Sequence, residues 1–302
     1  MISGLYDKTS KISFSTYKDN FINFFGEYRK IIRELETEVQ TLHGTYKRLD
    51  KLILVDDDTL ENWEFEFKEI KEDTLNRIWD YNKLKSAETG KIVDSFIISF
   101  ANPDSCENSI EIGRTVVFAP IVHYLQNMGL PQKLNTIEIK VKNNEFINIE
   151  DELTLIFVAL SVKNAYKEEI VKRVCAVLEK IDYIDKSRRV VIDSLISYQI
   201  ENFVKSKEDQ EMLNKVIDMQ MSVEEIFIQA ERDYEFNSGF DSGLKEGKKE
   251  GIKKGIEKGI KDSRDEIILN MLNDSVDDES ILRFTGCSRE YLQAFKKKQL
   301  FE

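Results

Sequence analysis

The chain has 302 residues, with 44 basic against 56 acidic side chains and a formal net charge of −12. That balance excludes a protein that coats nucleic acid by charge alone, while leaving room for a local basic groove. An apolar content of 41% and an aromatic content of 10% belong to a globular protein with a full core rather than a disordered one, and the length suits about two folded units.

Cys106, Cys175 and Cys287 are odd in number and widely scattered, which predicts a reducing, cytoplasmic setting without a disulfide framework. With only His43 and His123 and no paired cysteines, a zinc centre is disfavoured, and any metal falls to carboxylates. The polar stretch Met1–Asn20 predicts no signal peptide. The longest apolar run, Leu153–Val162, is shorter than the roughly 20 residues a bilayer demands, so no membrane partner is expected.

In chain order, Phe21, Phe24, Tyr28, Ile31 and Ile32 recur at helical spacing and predict a helix from about Thr16 to Glu38, capped by Ser15 or Thr16. Leu52–Val55 reads as a buried strand, ended by Asp56, Asp57 and Asp58, which favour turns. Glu61–Ile70 reads as the second strand of an acidic-turn hairpin. A helix over about Asp73–Ala87 and a continuous apolar strand over Ile92–Phe100 follow, with Gly90 between them. Further on, Thr115–Ala119 and Thr136–Val141 read as strands and Ile121–Met128 as a short helix. From Asp151 to Phe236 the pattern is helical throughout.

The tail differs. Gly239, Gly243, Gly247, Gly251, Gly255 and Gly259 fall every fourth residue, beside Phe240, Leu244, Ile252, Ile256 and Ile260. Each glycine costs a helix about 1 kcal/mol relative to alanine, yet a bare glycine edge admits a close partner. Self-association into a homo-oligomer, packing within the chain, and a flexible tether are the three readings. Residues 245–264 carry eight basic against four acidic side chains, a positive window in an acidic chain. Glu279–Phe284, the turn Thr285-Gly286-Cys287, and Ser288–Lys297 then form either a small helix-turn-helix or a helical hairpin that caps the tail.

The candidate site lies in Asn62–Glu69. Trp63, Phe65 and Phe67 alternate with Glu64, Glu66 and Lys68, so a strand turns aromatics to one face and charges to the other. Phosphodiester hydrolysis requires a cation that neutralises the scissile phosphate and acidifies water. Asp50 and Glu66 on adjacent strands offer carboxylate ligands, with the Phe67 carbonyl beside them, and Lys68 shares the face of Glu66 to position water. Glu64 either joins the site or is solvated. Glu69-Ile70-Lys71 and Glu138-Ile139-Lys140 are rival triplets, the second in a strand-like segment.

The run Arg48–Val55, then Trp63–Lys68, then Arg77–Asn82 resembles the core of the PD-(D/E)XK nucleases, and more narrowly the recombination-promoting nuclease and transposase group. The resemblance implies an α/β (α+β) restriction-endonuclease-like fold: a mixed sheet flanked by helices, then a mostly helical C-terminal region. It implies a nuclease core over 1–150, a helical region over 151–237, and the glycine-ladder tail over 238–302. By the same resemblance Asp50 and Glu66 bind Mg²⁺ or Mn²⁺ and Lys68 assists the water. Arg77 and Tyr81, four apart on the following helix, touch phosphate or brace the site, or else are an ordinary amphipathic pair. An additional acid on the first helix is left open among Asp19, Glu27, Glu36 and Glu38. The implied activity is metal-dependent cleavage of DNA. The alternative is a catalytically inactive helical interaction or self-assembly protein on a nuclease-like fold.

Overall fold

A computed structural model describes residues 2–40, 46–181, 183–217 and 221–299. The chain divides into two compact units, Met1–Ser238 and Gly239–Glu302. The first unit opens with helices α1 (Ile2–Tyr17) and α2 (Asp19–Phe24), then strands β1 (Ile31–Glu34), β2 (Glu38–Gln40), β3 (Tyr46–Arg48), β4 (Lys51–Val55) and β5 (Leu60–Glu66). It continues with α3 (Glu72–Thr89), β6 (Val93–Ser99), β7 (Ile110–Ile112), β8 (Val116–Phe118) and β9 (Ile121–Tyr124). Helices α4 (Leu130–Lys142), α5 (Ile149–Phe157), α6 (Asn164–Leu178), α7 (Lys186–Phe203) and α8 (Lys207–Asn214) follow. Helix α9 (Val223–Asn273) runs on into the tail, which ends with α10 (Asp278–Thr285) and α11 (Arg289–Gln299).

The fold is α+β. Its five-stranded sheet runs β1-β4-β5-β6-β9, antiparallel from β1 to β5 and parallel from β5 to β9. The β4–β5 hairpin closes as its acidic turn predicts. Asp58 takes the left-handed conformation with φ 69°, and Asp57 accepts the Thr59 amide at 3.0 Å. A parallel neighbour needs a crossover, which α3 supplies between β5 and β6, and Gly90 ends that helix with φ 71°.

Period two sorts β5 into two faces, and both are buried. Trp63 and Phe65 pack among Phe14, Phe21 and Phe25 of α1, α2 and the adjoining turn, in a core that α4 to α7 complete. Trp63 stacks on Phe96 at 4.6 Å between ring centroids. On the other face α3 sets Leu75, Ile78 and Tyr81 toward Ile97, Leu52 and Leu60. The helices beyond 150 belong to the same unit. Tyr17 of α1 donates to Glu152 of α5 at 3.0 Å, and Arg188 of α7 meets the same carboxylate at 2.9 Å.

Besides the second hairpin strand, expected to reach Ile70 but ending at Glu66, three stretches differ from the sequence expectation. Residues 16–38 are not one helix: α1 ends at Tyr17, Lys18 breaks the chain with φ 45°, and Gly26 at φ 90° turns it toward β1. Ile121–Tyr124 is the edge strand β9 rather than a helix, its apolar run being too short for period to decide. Thr136–Val141 lies in α4, whose Leu130, Leu134 and Ile137 are buried at helical spacing. The triplet Glu138-Ile139-Lys140 is therefore helical, and Glu138 instead pairs with Arg173 at 2.6 Å.

The aromatic face holds one buried acid. Glu61 is fully buried; its carboxylate accepts Trp63 Nε1 at 2.8 Å and lies 2.8 Å from Arg29 Nε. Burial pushes it up to about 7, against the opposing pull of Trp63 and Arg29, while Glu27 and Asp94 add to the rise. A carboxyl raised on folding binds more protons folded than unfolded, so stability falls as pH climbs from about 4.5 through about 7. Glu61→Gln keeps an acceptor for Trp63 and removes that loss. Urea unfolding between pH 5 and pH 8 is expected to show the variant gaining about 2 kcal/mol on wild type as pH rises; parallel curves would refute it.

In the second unit, Ile268 of α9, Ile281 of α10, and Cys287 and Leu292 form a small core. The Asp277 side chain caps α10 by accepting the Ser280 amide at 3.0 Å, and Gly286, with φ 61°, makes the turn into α11. The helix, tight turn and helix expected around Thr285-Gly286-Cys287 are present. Among the described residues no helix is long and apolar enough to cross a membrane.

Candidate functional site

Hairpin register decides which charges meet. Lys51 faces Trp63 across β4 and β5, so Asp50, one residue before β4, continues that register opposite Glu64. The Phe65 amide donates to Asp50 Oδ2 at 3.0 Å, which anchors this carboxylate at the mouth of the strand pair. Its other oxygen lies 3.0 Å from Lys11 Nζ on α1, and Lys11 also meets Asp7 one turn earlier at 2.8 Å. Burial would lower Lys11, but the Asp50 and Asp7 charges outweigh it and hold the amine above its ordinary range.

Glu64 is the centre of the cluster. It is 1% exposed, with Arg77 Nη1 of α3 at 3.4 Å from its Oε2. Among the described residues its Oε1 has no hydrogen-bond partner of normal geometry. Burial raises the Glu64 pKa first and the Asp50 charge next, with Arg77 and the Asp50 amide offsetting only part. Glu66, at the exit of β5, shares the same guanidinium through Arg77 Nη2. Burial raises it too, Arg77 opposing and Asp50 adding. The Arg77 guanidinium carbon is 5.8 Å from the centre of the Tyr81 ring, which is buried against Leu49, Leu52 and Leu60.

The structure thus brings Asp50, Glu64, Glu66, Arg77 and Tyr81 to one end of the β4–β5 pair beneath α3. It does not bring Lys68 there. Strand β5 ends at Glu66, and Lys68 is exposed in the bend beyond, its ammonium 5.8 Å from the centre of the Phe67 ring. Among the described residues the cations that touch the carboxylates are Lys11 and Arg77. Glu69 and Lys71, of the rival triplet, pair with each other at 3.2 Å on the surface.

None of the four acids considered on the first helix serves the cluster through a described contact. Asp19 accepts the Ile31 amide at 2.9 Å, Glu27 lies 3.7 Å from Arg29, and Glu36 and Glu38 are exposed. Asp7 is the acid that α1 turns toward the site, through Lys11. Its spacing four residues from Lys11 was the available signal. Glu64 was visible as a member of the charged face, but its burial was not.

Two carboxylates with a third beside them are hard oxygen donors, the chemistry a small divalent cation takes. The orphaned, buried Oε1 of Glu64 is the atom such an ion would satisfy. Magnesium commonly uses one or two protein carboxylates, with water and substrate oxygens completing its shell, so Asp50 and Glu64 suffice in kind. Among the described residues no group of three His, Cys, Asp or Glu side chains is spaced to hold a metal by itself. No protein-family model matches the chain, and neither a curated protein nor a solved structure matches it.

Proposed function

We propose that the chain is a metal-dependent DNA endonuclease whose centre is Asp50, Glu64 and Glu66. One observation carries this reading: a fully buried glutamate faces a second carboxylate across a strand pair and keeps one oxygen without a hydrogen-bond partner among the described residues. Burying an acid in this way costs several kcal/mol unless a cation or proton compensates, and functional sites are where such costs are retained.

In this reading Asp50 and Glu64 would hold Mg²⁺ or Mn²⁺, which would supply Lewis-acid polarisation of the phosphate and a more acidic water. Glu66 borders the site, where it would orient the attacking water or take up its proton. Lys11 and the Phe65 amide fix the Asp50 carboxylate. Arg77, with its side chain about a third exposed, meets the phosphate while Tyr81 backs its guanidinium. Lys68 moves from the water-activating role that the triplet suggests to a contact with the approaching backbone. Because the whole chain is acidic, duplex binding rests on these cations and weakens steeply with salt.

The test is nicking of supercoiled plasmid at low salt with Mg²⁺ or Mn²⁺, beside a chelated control. Metal-dependent nicking by the purified chain supports the proposal. One observation favours the second reading, a catalytically inactive interaction protein: Arg77 already bridges Glu64 and Glu66. Absence of nicking with either metal, together with a melting temperature that neither metal moves, would select it.

A further inference from the structure

Four acids are buried among the described residues, and each faces an arginine. Arg29 lies 2.8 Å from Glu61, Arg188 lies 2.9 Å from Glu152, and Arg189 lies 2.8 Å from Asp193. Glu64 is the exception. Its arginine, Arg77, stands 3.4 Å away, at the outer limit of a hydrogen bond. The other nitrogen of that guanidinium is drawn to Glu66 at the exit of β5. One cation thus serves two carboxylates and meets the buried one loosely, while its side chain, about a third exposed, still reaches the surface.

We propose that Arg77 gates the metal site: it holds Glu64 and Glu66 while the groove is empty and leaves them for a backbone phosphate of DNA, so that duplex and divalent cation bind cooperatively. This rests on the reading of Asp50 and Glu64 as the metal pair. Glu64 offers Oε1 to an ion while Arg77 stands at Oε2. A divalent and a univalent cation on one carboxylate repel, by enough to change affinity about tenfold even at the dielectric of water. A phosphodiester presents two oxygens that the planar guanidinium fork matches as a pair, whereas in the empty groove the fork is split between separate side chains. Drawing Arg77 to the phosphate removes the repulsion and returns the charge of Glu64 to the ion. By linkage, the factor that duplex adds to metal affinity is the factor that metal adds to duplex affinity.

The test titrates Mn²⁺ into the full chain at pH 7 and low salt, following the paramagnetic signal of the free ion, with and without a short phosphorothioate duplex that resists cleavage. Wild type is expected to bind Mn²⁺ about tenfold or more tightly with the duplex than without it. Without duplex, Arg77→Gln is expected to bind Mn²⁺ about tenfold more tightly than wild type, and to gain correspondingly less when duplex is added. Arg77→Lys keeps a cation at the position and is expected to stay near wild type, with circular dichroism checking that both variants are folded. The wild-type comparison stands without either variant. Wild-type affinity that duplex leaves unchanged, or an Arg77→Gln chain with the affinity and duplex gain of wild type, would overturn the gate and leave the metal pair standing. No Mn²⁺ bound by any of the three chains, with or without duplex, would overturn the metal pair itself and the gate with it.

Discussion

Glu64→Gln is expected to abolish metal-dependent nicking of plasmid, a loss of about a thousandfold or more. Glutamine preserves the shape of the side chain and an acceptor for Arg77, so α3 stays seated on the sheet. What it removes is the charge of a carboxylate that burial and Asp50 already make costly to ionise. An ion held by Asp50 and Glu64 loses one of its two anionic donors. Asp50→Asn is expected to match it, since the Phe65 amide and Lys11 then hold a neutral group. Lys68→Ala, at an exposed position beyond β5, is expected to cost only about three- to tenfold, and less at higher salt, as the loss of one phosphate contact does. The ranking is the measurement: a Lys68→Ala variant as dead as Glu64→Gln would return the chemistry to the Glu66–Lys68 triplet. Nicking that survives Glu64→Gln would remove Glu64 from the site.

Arg77→Met is expected to destabilise the chain by about 3 kcal/mol at pH 8. The guanidinium is the one described cation in reach of both Glu64 and Glu66, and without it two carboxylates are left under α3. Both acids are already raised by burial, and removing Arg77 raises them further. Each then binds more protons folded than unfolded, so stability is retained below the ordinary glutamate range and lost as pH rises through the folded values. The deficit is accordingly expected to shrink to about 1 kcal/mol at pH 5, where protonation replaces the missing cation. Urea unfolding at the two pH values measures it. A divalent cation held at Asp50 and Glu64 predicts one thing more: millimolar Mg²⁺ recovers part of the loss at pH 8. A deficit equal at both pH values would show that Arg77 acts through packing and not through charge.

Legibility of the sequence follows the range of the interaction involved. The β4–β5 hairpin was readable because Asp56–Asp58 and the alternation of Trp63 to Phe67 lie within one short stretch. Helix α3 with Gly90 after it, β6, and the α10–α11 hairpin were readable for the same reason. Gly26 was the local sign that the helix expected over 16–38 must break, and the aromatic spacing around it masked that sign. Leu130, Leu134 and Ile137 carried the helical period of α4, but the β-branched run beginning at Thr136 competed with it.

The site divides along the same line. Period two by itself put Glu64 and Glu66 on one face and the aromatics on the other, and helical spacing joined Arg77 to Tyr81. Where β5 stops, and hence that Lys68 leaves the face, depends on pairing with β6 as far as Ser99. That Asp50 meets Glu64 depends on the register Lys51–Trp63. That Lys11 reaches Asp50, and that α3 buries Glu64, depends on how helices distant in sequence pack over the sheet. Periodicity is written in neighbouring residues, so the sequence determined the faces. Register, strand length and burial arise from partners tens of residues away, so only the tertiary structure decided which charges share the site.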